Sequence, residues 1–494
     1  MIPARLSHRV LWALAGLTAL GIAVRFASLG VQAYHHDEVI TATRVIPGSF
    51  TEMLGQVKGS ESNPPLYYVL AWGWAKVFGT GEVELRSLTA LFGAATVPVA
   101  FLIGRELASN RAGLIAAALV AVSPMLIWYS QEARSYALLV FFGALALLFF
   151  VRALRTRDGR DLGLWALASA LALCSHYFAV FAVAIEAIWL LVALRARWRV
   201  VLPALLAVGA VGLALLPLIL AQVNPTHIGW IDHSPLSTRL FETGGSFLIG
   251  ETGHAIAQSP RERFALIPAL LIGVALLLAA LRGSAREKRA AVLGLTLGVG
   301  VVLLASVTAL AGRDYIVERN LLPALIPLML AAAVGFGASG ARRLGIALAT
   351  LLCAYWLAFD VYVARTPNLQ RPDFREVTER LGAPARPRAI VTWTLAADGV
   401  QFYLGHPSRR KYRGKLPIRE VDVISKAVVV GRPPNLPPAF RPVERLRLER
   451  LTLTRYMARR IHRVPTLALR DARTGFGRNA VIVDGIPGLE GVSR

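Results

Sequence analysis

Long apolar blocks separated by short basic segments constrain the fold of this chain more than any other feature. A helix of ~20 apolar residues spans a lipid bilayer, where the backbone has to satisfy its own hydrogen bonds. By this length criterion the sequence predicts an all-α polytopic membrane protein with about eleven transmembrane helices. The main blocks contain almost no charge and lie at residues 88–103, 112–127, 136–151, 201–221, 264–281, 290–311, 321–338 and 344–363.

The start of the chain resembles a signal peptide, because Arg5 and Arg9 precede its first apolar run. Residues 10–29 are nevertheless too long for a typical signal-peptide core, and no clean small-x-small cleavage site follows. We therefore expect an uncleaved first transmembrane helix, with cleavage as the alternative.

The basic residues predict the topology. The net charge is +24, but only six of the 54 basic residues are Lys, which indicates a compositional preference for Arg and not a nucleic-acid partner. The positive-inside rule places the short basic loops and the N-terminus in the cytoplasm of a multi-pass cell-membrane protein. Those loops lie at residues 152–161, 195–199, 282–289 and 341–343. The alternate segments then face outward, at residues 30–85, 123–135, 174–179, 222–262 and 312–320.

The C-terminal part has a different character. Residues 365–494 contain Pro-rich linkers and the short apolar runs "RAIVTWT", "DVISKAVVVG" and "NAVIVDGI", which are typical of strands bounded by turns. With "FREVTERLG" as a helix, they predict a small α/β domain after a transmembrane domain at residues 1–364. About eleven spans would place this domain outside the cytoplasm. The domain has 26 Lys and Arg residues and 11 Asp and Glu residues. This positive charge does not argue against an outside location, because long domains cross the membrane regardless of charge.

The first outward segment, residues 30–85, is long enough to carry elements of its own. "FTEMLGQVKG" and "LYYVLAWGWAKVFG" have the spacing of amphipathic helices. We expect short helices along the outer membrane surface, with the tryptophans at the interface.

The tetrad "HHDE" at residues 35–38 opens this segment. An ionised carboxylate here could take a proton from a hydroxyl nucleophile, and the histidines could orient it or help to hold a metal ion. Ionisable groups at a membrane edge are functional candidates by default. The alternative is a solvated loop with chance polar residues.

Two further outward motifs combine polar and aromatic residues. In "ESNPPLYY" (61–68) the Pro pair stiffens the backbone, and the tyrosines could stack on a sugar or mark the interface. In "SPMLIWYSQEARSYAL" (123–138) Glu132 and Arg134 lie at a helix start. Arg matches phosphate geometry better than Lys does, whereas a cap with a local ion pair is the structural alternative.

Two single residues complete the set. "CSHYF" (174–178) contributes His176, and "RDYIVERNLLPALIPL" (313–328) contributes Arg319. Each has an ordinary interfacial or flanking role as its alternative. All these motifs nevertheless fall on one face of the membrane under a topology set by loop arginines alone.

The order of these motifs resembles the bacterial polyprenyl-phosphate-sugar glycosyltransferases of the GT-C superfamily, relatives of the protein O-mannosyltransferases and of the aminoarabinose transferase of lipid A. The resemblance spans residues 10–380 and departs from the family at two positions. Asn63 stands where relatives often have His or Lys, and Asn320 stands where Tyr usually follows the Arg. The motifs that carry it are an Asp-Glu pair in the first outward loop, "PPLYY", "LRS" at 85–87, "YSQEARSYAL", "SHYF" and an Arg before "LLPALIPL".

This resemblance implies an outward catalytic cavity and a sugar donor linked to polyprenyl phosphate. It implies Asp37 as the general base, with Glu38 beside it. The leaving lipid phosphate needs charge stabilisation and no proton, which Arg134 and Arg319 could supply. One direct displacement on an acceptor hydroxyl of a glycan, lipid or protein would invert the anomeric centre. The expected substrate-binding residues are His36, Asn63, Tyr67, Tyr129, Glu132, His176 and Tyr177.

No cofactor is expected, because the sequence has no Gly-rich phosphate loop of the Walker or Rossmann kind. No metal is favoured either, since adjacent residues rarely all point at one ion and carboxylate-plus-Arg chemistry suffices. Cys174 and Cys353 lie in or beside apolar blocks and suggest no metal site. The expected partners are the lipid donor, the acceptor and membrane lipids. The alternative function is a transporter or flippase of lipid-linked sugars, which would need charges deep within spans or broken helices.

Overall fold

The chain divides into two compact units. The membrane unit comprises Met1–Leu29 and Gly48–Arg365, and the C-terminal unit comprises Gly30–Pro47 and Thr366–Arg494. A computed structural model describes residues 6–223, 231, 234–251, 261–405, 414–427, 434–475, 478–486 and 491–493. Part of the predicted outward segment 222–262 therefore lies outside the described residues.

Helices make up nearly all of the described membrane unit. In chain order, the α-helices of both units are α1 His8–Phe26, α2 His36–Ile40, α3 Phe50–Ser60, α4 Leu66–Phe78, α5 Glu82–Leu107, α6 Asn110–Val122, α7 Pro124–Ser130, α8 Tyr136–Thr156, α9 Gly159–Ser175, α10 Ala179–Ala193, α11 Trp198–Gln222, α12 Leu236–Ile249, α13 Arg261–Arg282, α14 Ala285–Leu310, α15 Leu325–Phe336, α16 Arg342–Arg365, α17 Phe374–Leu381, α18 Thr394–Leu404 and α19 Thr466–Arg470. A π-helical turn, Thr41–Val45, follows α2, and a 3₁₀ turn, Glu318–Ala324, precedes α15.

Within the described residues, eight helices are long and apolar enough to cross a membrane, or up to nine if the bent pair α6–α7 forms one span. The predicted class, an all-α polytopic membrane protein, is confirmed. The count is lower than the about eleven spans predicted from length. One reason is that α9 and α10 have only 17 and 15 residues. Another is that Pro124 restarts the helix after α6, at an angle of 56°.

The inner helices of the membrane unit pack closely through small residues. A Cβ atom on Gly104 of α5 would lie 2.8 Å from the Cα atom of Gly113 on α6. A Cβ atom on Gly345 of α16 would clash with the carbonyl oxygen of Phe336. Lipid gives helices no hydrophobic reason to associate, so close backbone approach and dispersion contacts hold the bundle together. The loops that leave these buried helices carry the polar residues described below.

The C-terminal unit is built on a mixed sheet, which confirms the predicted small α/β domain. Among the described residues the strand order is β3-β4-β2-β1-β5-β6, with β1 and β2 parallel and the other neighbours antiparallel. Helices α17 and α18 pack on one face around Ile390 and Ile424, and Val391 and Val423 lie in a second core. The strands are β1 Arg388–Trp393, β2 Lys415–Lys426, β3 Arg441–Leu448, β4 Leu451–Pro465, β5 Asn479–Asp484 and β6 Gly491–Ser493.

The segment Gly30–Pro47 lies between α1 and α3 in the chain but belongs to the C-terminal unit. The backbone N–H of Tyr34 donates to the Tyr403 hydroxyl at 2.8 Å, and the Tyr34 ring packs on Phe402 with centroids 5.5 Å apart. From the sequence, this segment is predicted to belong to the transmembrane domain, as part of loop 30–85. Apolar pattern does not reveal such long-range packing, because the contacts join residues more than three hundred positions apart in the chain.

Candidate active site

Proline residues shape the turn that begins α4. Pro64 and Pro65 follow Asn63 directly, and Pro65 caps α4. Proline is well tolerated at a helix start, because the N–H groups there have no intrahelical partner. The turn places Glu61 before the helix and Tyr68 within its first turns.

Glu61 and Arg134 form a buried ion pair in the membrane unit, with Nη1 of Arg134 2.8 Å from Oε2 of Glu61. The Tyr68 hydroxyl donates to the same carboxylate oxygen at 2.6 Å. The Arg134 guanidinium carbon also lies 5.8 Å from the centroid of the Tyr68 ring. A carboxylate and an aromatic ring thus orient the guanidinium. All three groups are buried, so water does not screen their interactions.

Arg134 and Arg319 converge electrostatically on His176. Burial, together with the charges of these two arginines, lowers the pKa of His176 to about 3. The imidazole is packed between the rings of Tyr136 and Phe178, each with its centroid 5.4 Å away, and Nδ1 accepts a hydrogen bond from the Phe178 backbone N–H at 3.3 Å. A histidine with this pKa stays neutral near pH 7 and is a poor general base.

Tyr129 and Glu132 lie on either side of the end of α7. Tyr129 is buried, its ring packs on Tyr136 with centroids 4.8 Å apart, and its hydroxyl donates to the carboxylate of Glu251. Glu132 is buried in the turn that also holds Arg134. This part of the membrane unit therefore combines carboxylates, aromatic rings and arginines.

Gln222 connects two of the predicted substrate-binding residues. The Tyr177 hydroxyl donates to Gln222 Oε1 at 2.7 Å, and Gln222 Nε2 donates to the Asn63 carbonyl at 3.1 Å. Tyr67 is fully buried, with its ring centroid 5.2 Å from that of Tyr68. Gln222, which Tyr177 also contacts, thereby braces the turn before α4 through the Asn63 carbonyl.

Arg25 of α1 holds the bend between α6 and α7. Its guanidinium donates to the carbonyls of Val120 and Ala121, both at 2.9 Å, and to Ser130 Oγ at 3.1 Å. These carbonyls lack their usual helical partners because Pro124 has no N–H and starts a new helix. The turn carrying Glu132 and Arg134 is thereby fixed to the bundle.

In the C-terminal unit, helix α2 carries the tetrad found in the sequence. Glu38 is fully buried, accepts a hydrogen bond from the His35 backbone N–H at 2.8 Å and lies 3.5 Å from Nη1 of Arg371. Asp37 lies half-buried in the first turn. His36 Nδ1 is 3.7 Å from Asp398. Burial is the main cause that lowers the pKa of His35 to about 4.

The sequence missed several of these residues. Within "ESNPPLYY", Tyr68 was expected to stack on a sugar or mark the interface and Glu61 had no assigned role, whereas Gln222 is a polar residue at the end of an apolar block. Arg25 is a charge within the first apolar run, which is itself a signal of function or of a buried partner. Glu251 lies in a Gly-rich segment and had no local signal.

The membrane unit matches a known family over part of its length. A family model described as dolichyl-phosphate-mannose-protein mannosyltransferase matches residues 62–220. ArnT from Cupriavidus metallidurans in the apo state is similar in structure, with 12% identity, a TM-score of 0.58 and coverage of 91% of this chain and 98% of that chain. The same protein bound to undecaprenyl phosphate gives 12% identity, a TM-score of 0.54 and coverage of 89% and 97%. No curated protein matches the sequence.

These findings confirm the predicted resemblance to GT-C glycosyltransferases. The likeness to ArnT shows the fold over nearly the whole chain, and the family model covers the stretch with the Pro-Pro turn, Arg134 and His176. The chain is thus a multi-span membrane protein with an ArnT-like fold. Fold and partial family match together indicate similarity to membrane glycosyltransferases.

Proposed function

We propose that this protein transfers a sugar from a polyprenyl-phosphate donor to an acceptor hydroxyl on the extracytoplasmic side, with inversion of the anomeric centre. The observation that carries the proposal is the buried Arg134 guanidinium, held 2.8 Å from Glu61 and beside the Tyr68 ring, whose charge acts on His176 together with that of Arg319. Two arginines from distant parts of the chain gather positive charge around one neutral, buried ring. A lipid phosphate is the ligand that such a pair would stabilise.

The reaction balances with the residues assigned to it. The acceptor O–H bond breaks as the Asp37 carboxylate takes the proton, and the acceptor oxygen forms a new bond to the anomeric carbon. The bond between that carbon and the phosphate oxygen breaks, and its electron pair leaves with the lipid phosphate. Arg134 and Arg319 stabilise the negative charge that develops there, which is often the largest single contribution to catalysis.

Glu38 has a supporting role in this scheme. Its carboxylate is committed to the start of α2 and to Arg371. Asp37 has the greater exposure of the two, which suits a group that must reach a substrate. His36, Asn63, Tyr67, Tyr129, Glu132, His176 and Tyr177 are proposed to line or brace the substrate sites.

The donor is proposed to be linked to undecaprenyl phosphate or a similar polyprenyl phosphate. ArnT from Cupriavidus metallidurans, a protein of the same fold, has been seen bound to undecaprenyl phosphate. We propose that no metal ion or other cofactor is needed, because arginines can neutralise the leaving phosphate. The acceptor is a hydroxyl group of a glycan, lipid or protein.

A transporter or flippase of lipid-linked sugars is the second candidate. The bend of 56° between α6 and α7 favours it, since broken helices line transporter sites. However, Arg25 ties both sides of this bend together. Glu186, a charge within α10, is likewise bound by Trp165 Nε1 at 2.8 Å. Both groups thus have structural partners, which favours a fixed scaffold over a moving gate.

The test is a turnover assay with purified, full-length protein. Radiolabelled undecaprenyl-phosphate-linked hexoses and pentoses are offered with and without EDTA, and release of undecaprenyl phosphate is measured against a heat-treated control. Turnover in EDTA supports the proposal. Movement of intact donor across a vesicle membrane without turnover would support the transporter. Extraction of lipid-linked sugars from a deletion strain then identifies the donor that accumulates.

A further inference from the structure

The helix that carries Asp37 is held on one side by Arg371. The buried carboxylate of Glu38 lies 3.5 Å from Nη1 of Arg371 and closes the helix start by accepting from the His35 N–H at 2.8 Å. Arg371 is itself fixed, because its backbone N–H donates to Gln32 Oε1 at 3.1 Å. One side of α2 is therefore tied to the chain that follows α16.

The same segment is held on its other side by Asp398 of α18. Arg44, in the π-helical turn after α2, forms an ion pair with Asp398. His36 Nδ1 lies 3.7 Å from the other carboxylate oxygen of Asp398. Asp398 is only 5% exposed, so its interactions act in a low dielectric. One helical turn further along α18, Phe402 packs edge-to-face on Tyr34.

These contacts determine the direction of Asp37. Successive side chains on a helix diverge by about 100°. Glu38, which follows Asp37, is anchored by Arg371, and Asp398 anchors the segment through its ion pair with Arg44. His36, which precedes Asp37, lies 3.7 Å from Asp398, so rotation of α2 about its axis would disturb these contacts. The direction of the half-buried Asp37 carboxylate therefore depends on the contacts of its two neighbours.

We propose that Arg371 and Asp398 are positioning residues for Asp37. This inference rests on the proposed role of Asp37 as general base. A displacement of ~1 Å in a reacting group can cost ~10²-fold in rate. Loss of either anchor should lower kcat by ~10–10²-fold and leave the donor KM within about twofold, since donor phosphate contacts are assigned to other residues.

The test compares Arg371→Gln and Asp398→Asn with a matched control in full-length protein. Asp484→Asn breaks another buried ion pair of the same unit, between β1 and β5, where Arg388 Nη2 lies 2.6 Å from Asp484 Oδ2. The readouts are turnover of radiolabelled undecaprenyl-phosphate-linked hexose and pentose, binding of undecaprenyl phosphate, and melting temperature. The two anchor variants should lose kcat, whereas Asp484→Asn should keep it even where stability falls equally. Arg371→Lys, which retains the charge beside Glu38, should recover part of the loss.

A double variant separates positioning from general destabilisation. Residues that act through one group are strongly non-additive, so Asp398→Asn should add nothing to the loss caused by Asp37→Asn. Losses that multiply, or wild-type kcat in both anchor variants, would overturn the inference and leave Asp37 as the base. A wild-type rate for Asp37→Asn alone would instead overturn the proposed function.

Discussion

Arg134 donates from Nη1 to Oε2 of Glu61 at 2.8 Å, and both side chains are buried. Tyr68 donates to the same oxygen. Arg134 is thus oriented before any ligand arrives, and a side chain that is already ordered loses less entropy on binding. A guanidinium has five N–H donors, and the hydrogen bond from Arg134 Nη1 to Glu61 uses one of them.

Glu61→Gln should destabilise the membrane unit. Removal of one partner from a buried ion pair leaves the other charge uncompensated, which costs ~3–5 kcal/mol. We therefore expect a lower melting temperature in detergent. Glu379→Gln, at an exposed position of α17, is the control and should melt like wild type. Equal melting temperatures for all three proteins would contradict a stabilising ion pair.

Arg134→Lys and Arg319→Lys should each weaken binding of undecaprenyl phosphate by ~10-fold or more, because Lys keeps the charge but loses the bidentate fork. Turnover should fall with it. Arg313→Lys is the matched control, since Arg313 is exposed and lies in the same loop as Arg319. If both Lys variants bind and turn over like wild type, these arginines only flank the membrane.

Local pattern predicted much of the membrane unit and suggested several candidate site residues. Arg134 and His176 stand out because they are polar residues at the ends of apolar blocks. Arg25 and Glu186 are visible as charges within apolar runs, but their partners are not, since Arg25 is satisfied by α6 and Glu186 by Trp165. Tertiary contacts of this kind leave no period or spacing in the sequence.

In the C-terminal unit, too, local pattern predicted some elements and missed others. Strands β1 and β5 are continuous apolar runs with both faces buried, and they were predicted. Strands β3 and β4 alternate with arginines and were missed. The membership of Gly30–Pro47 in this unit depends on contacts to α18 and Arg371, which no local signal encodes.

His176→Gln should reduce the sensitivity of stability to acid. The pKa of His176 is lowered to about 3 by burial and by Arg134 and Arg319, so the unfolded state takes up a proton first as the pH falls. The stability due to the neutral ring is complete above about pH 6.5 and is lost toward pH ~3, by up to ~1.4 kcal/mol per pH unit. Melting temperatures near about pH 7 and about pH 5 test this, with the exposed His8→Gln as control. An unchanged acid response in His176→Gln would contradict it.

A reporter fused after Arg494 should be active outside the cytoplasm. The expectation follows from the alternation of basic loops, since the positive-inside rule fixes the orientation of the whole bundle. A reporter inserted in the basic loop at residues 282–289 should show the opposite behaviour. A C-terminal reporter that is active only in the cytoplasm would reverse the topology and place the acceptor on the other side.

Asp37→Asn should lower turnover by ~10²–10⁴-fold, the usual range for loss of a general base, while binding of undecaprenyl phosphate survives. The amide keeps the shape of the carboxylate but cannot take the acceptor proton. Glu38→Gln should cost less in rate and more in stability, because Glu38 closes the start of α2 and faces Arg371. Both variants are compared in turnover, donor binding and melting temperature. Near-normal turnover in Asp37→Asn, with loss of activity in Glu38→Gln, Glu61→Gln or Glu132→Gln, would assign the base to one of those carboxylates instead.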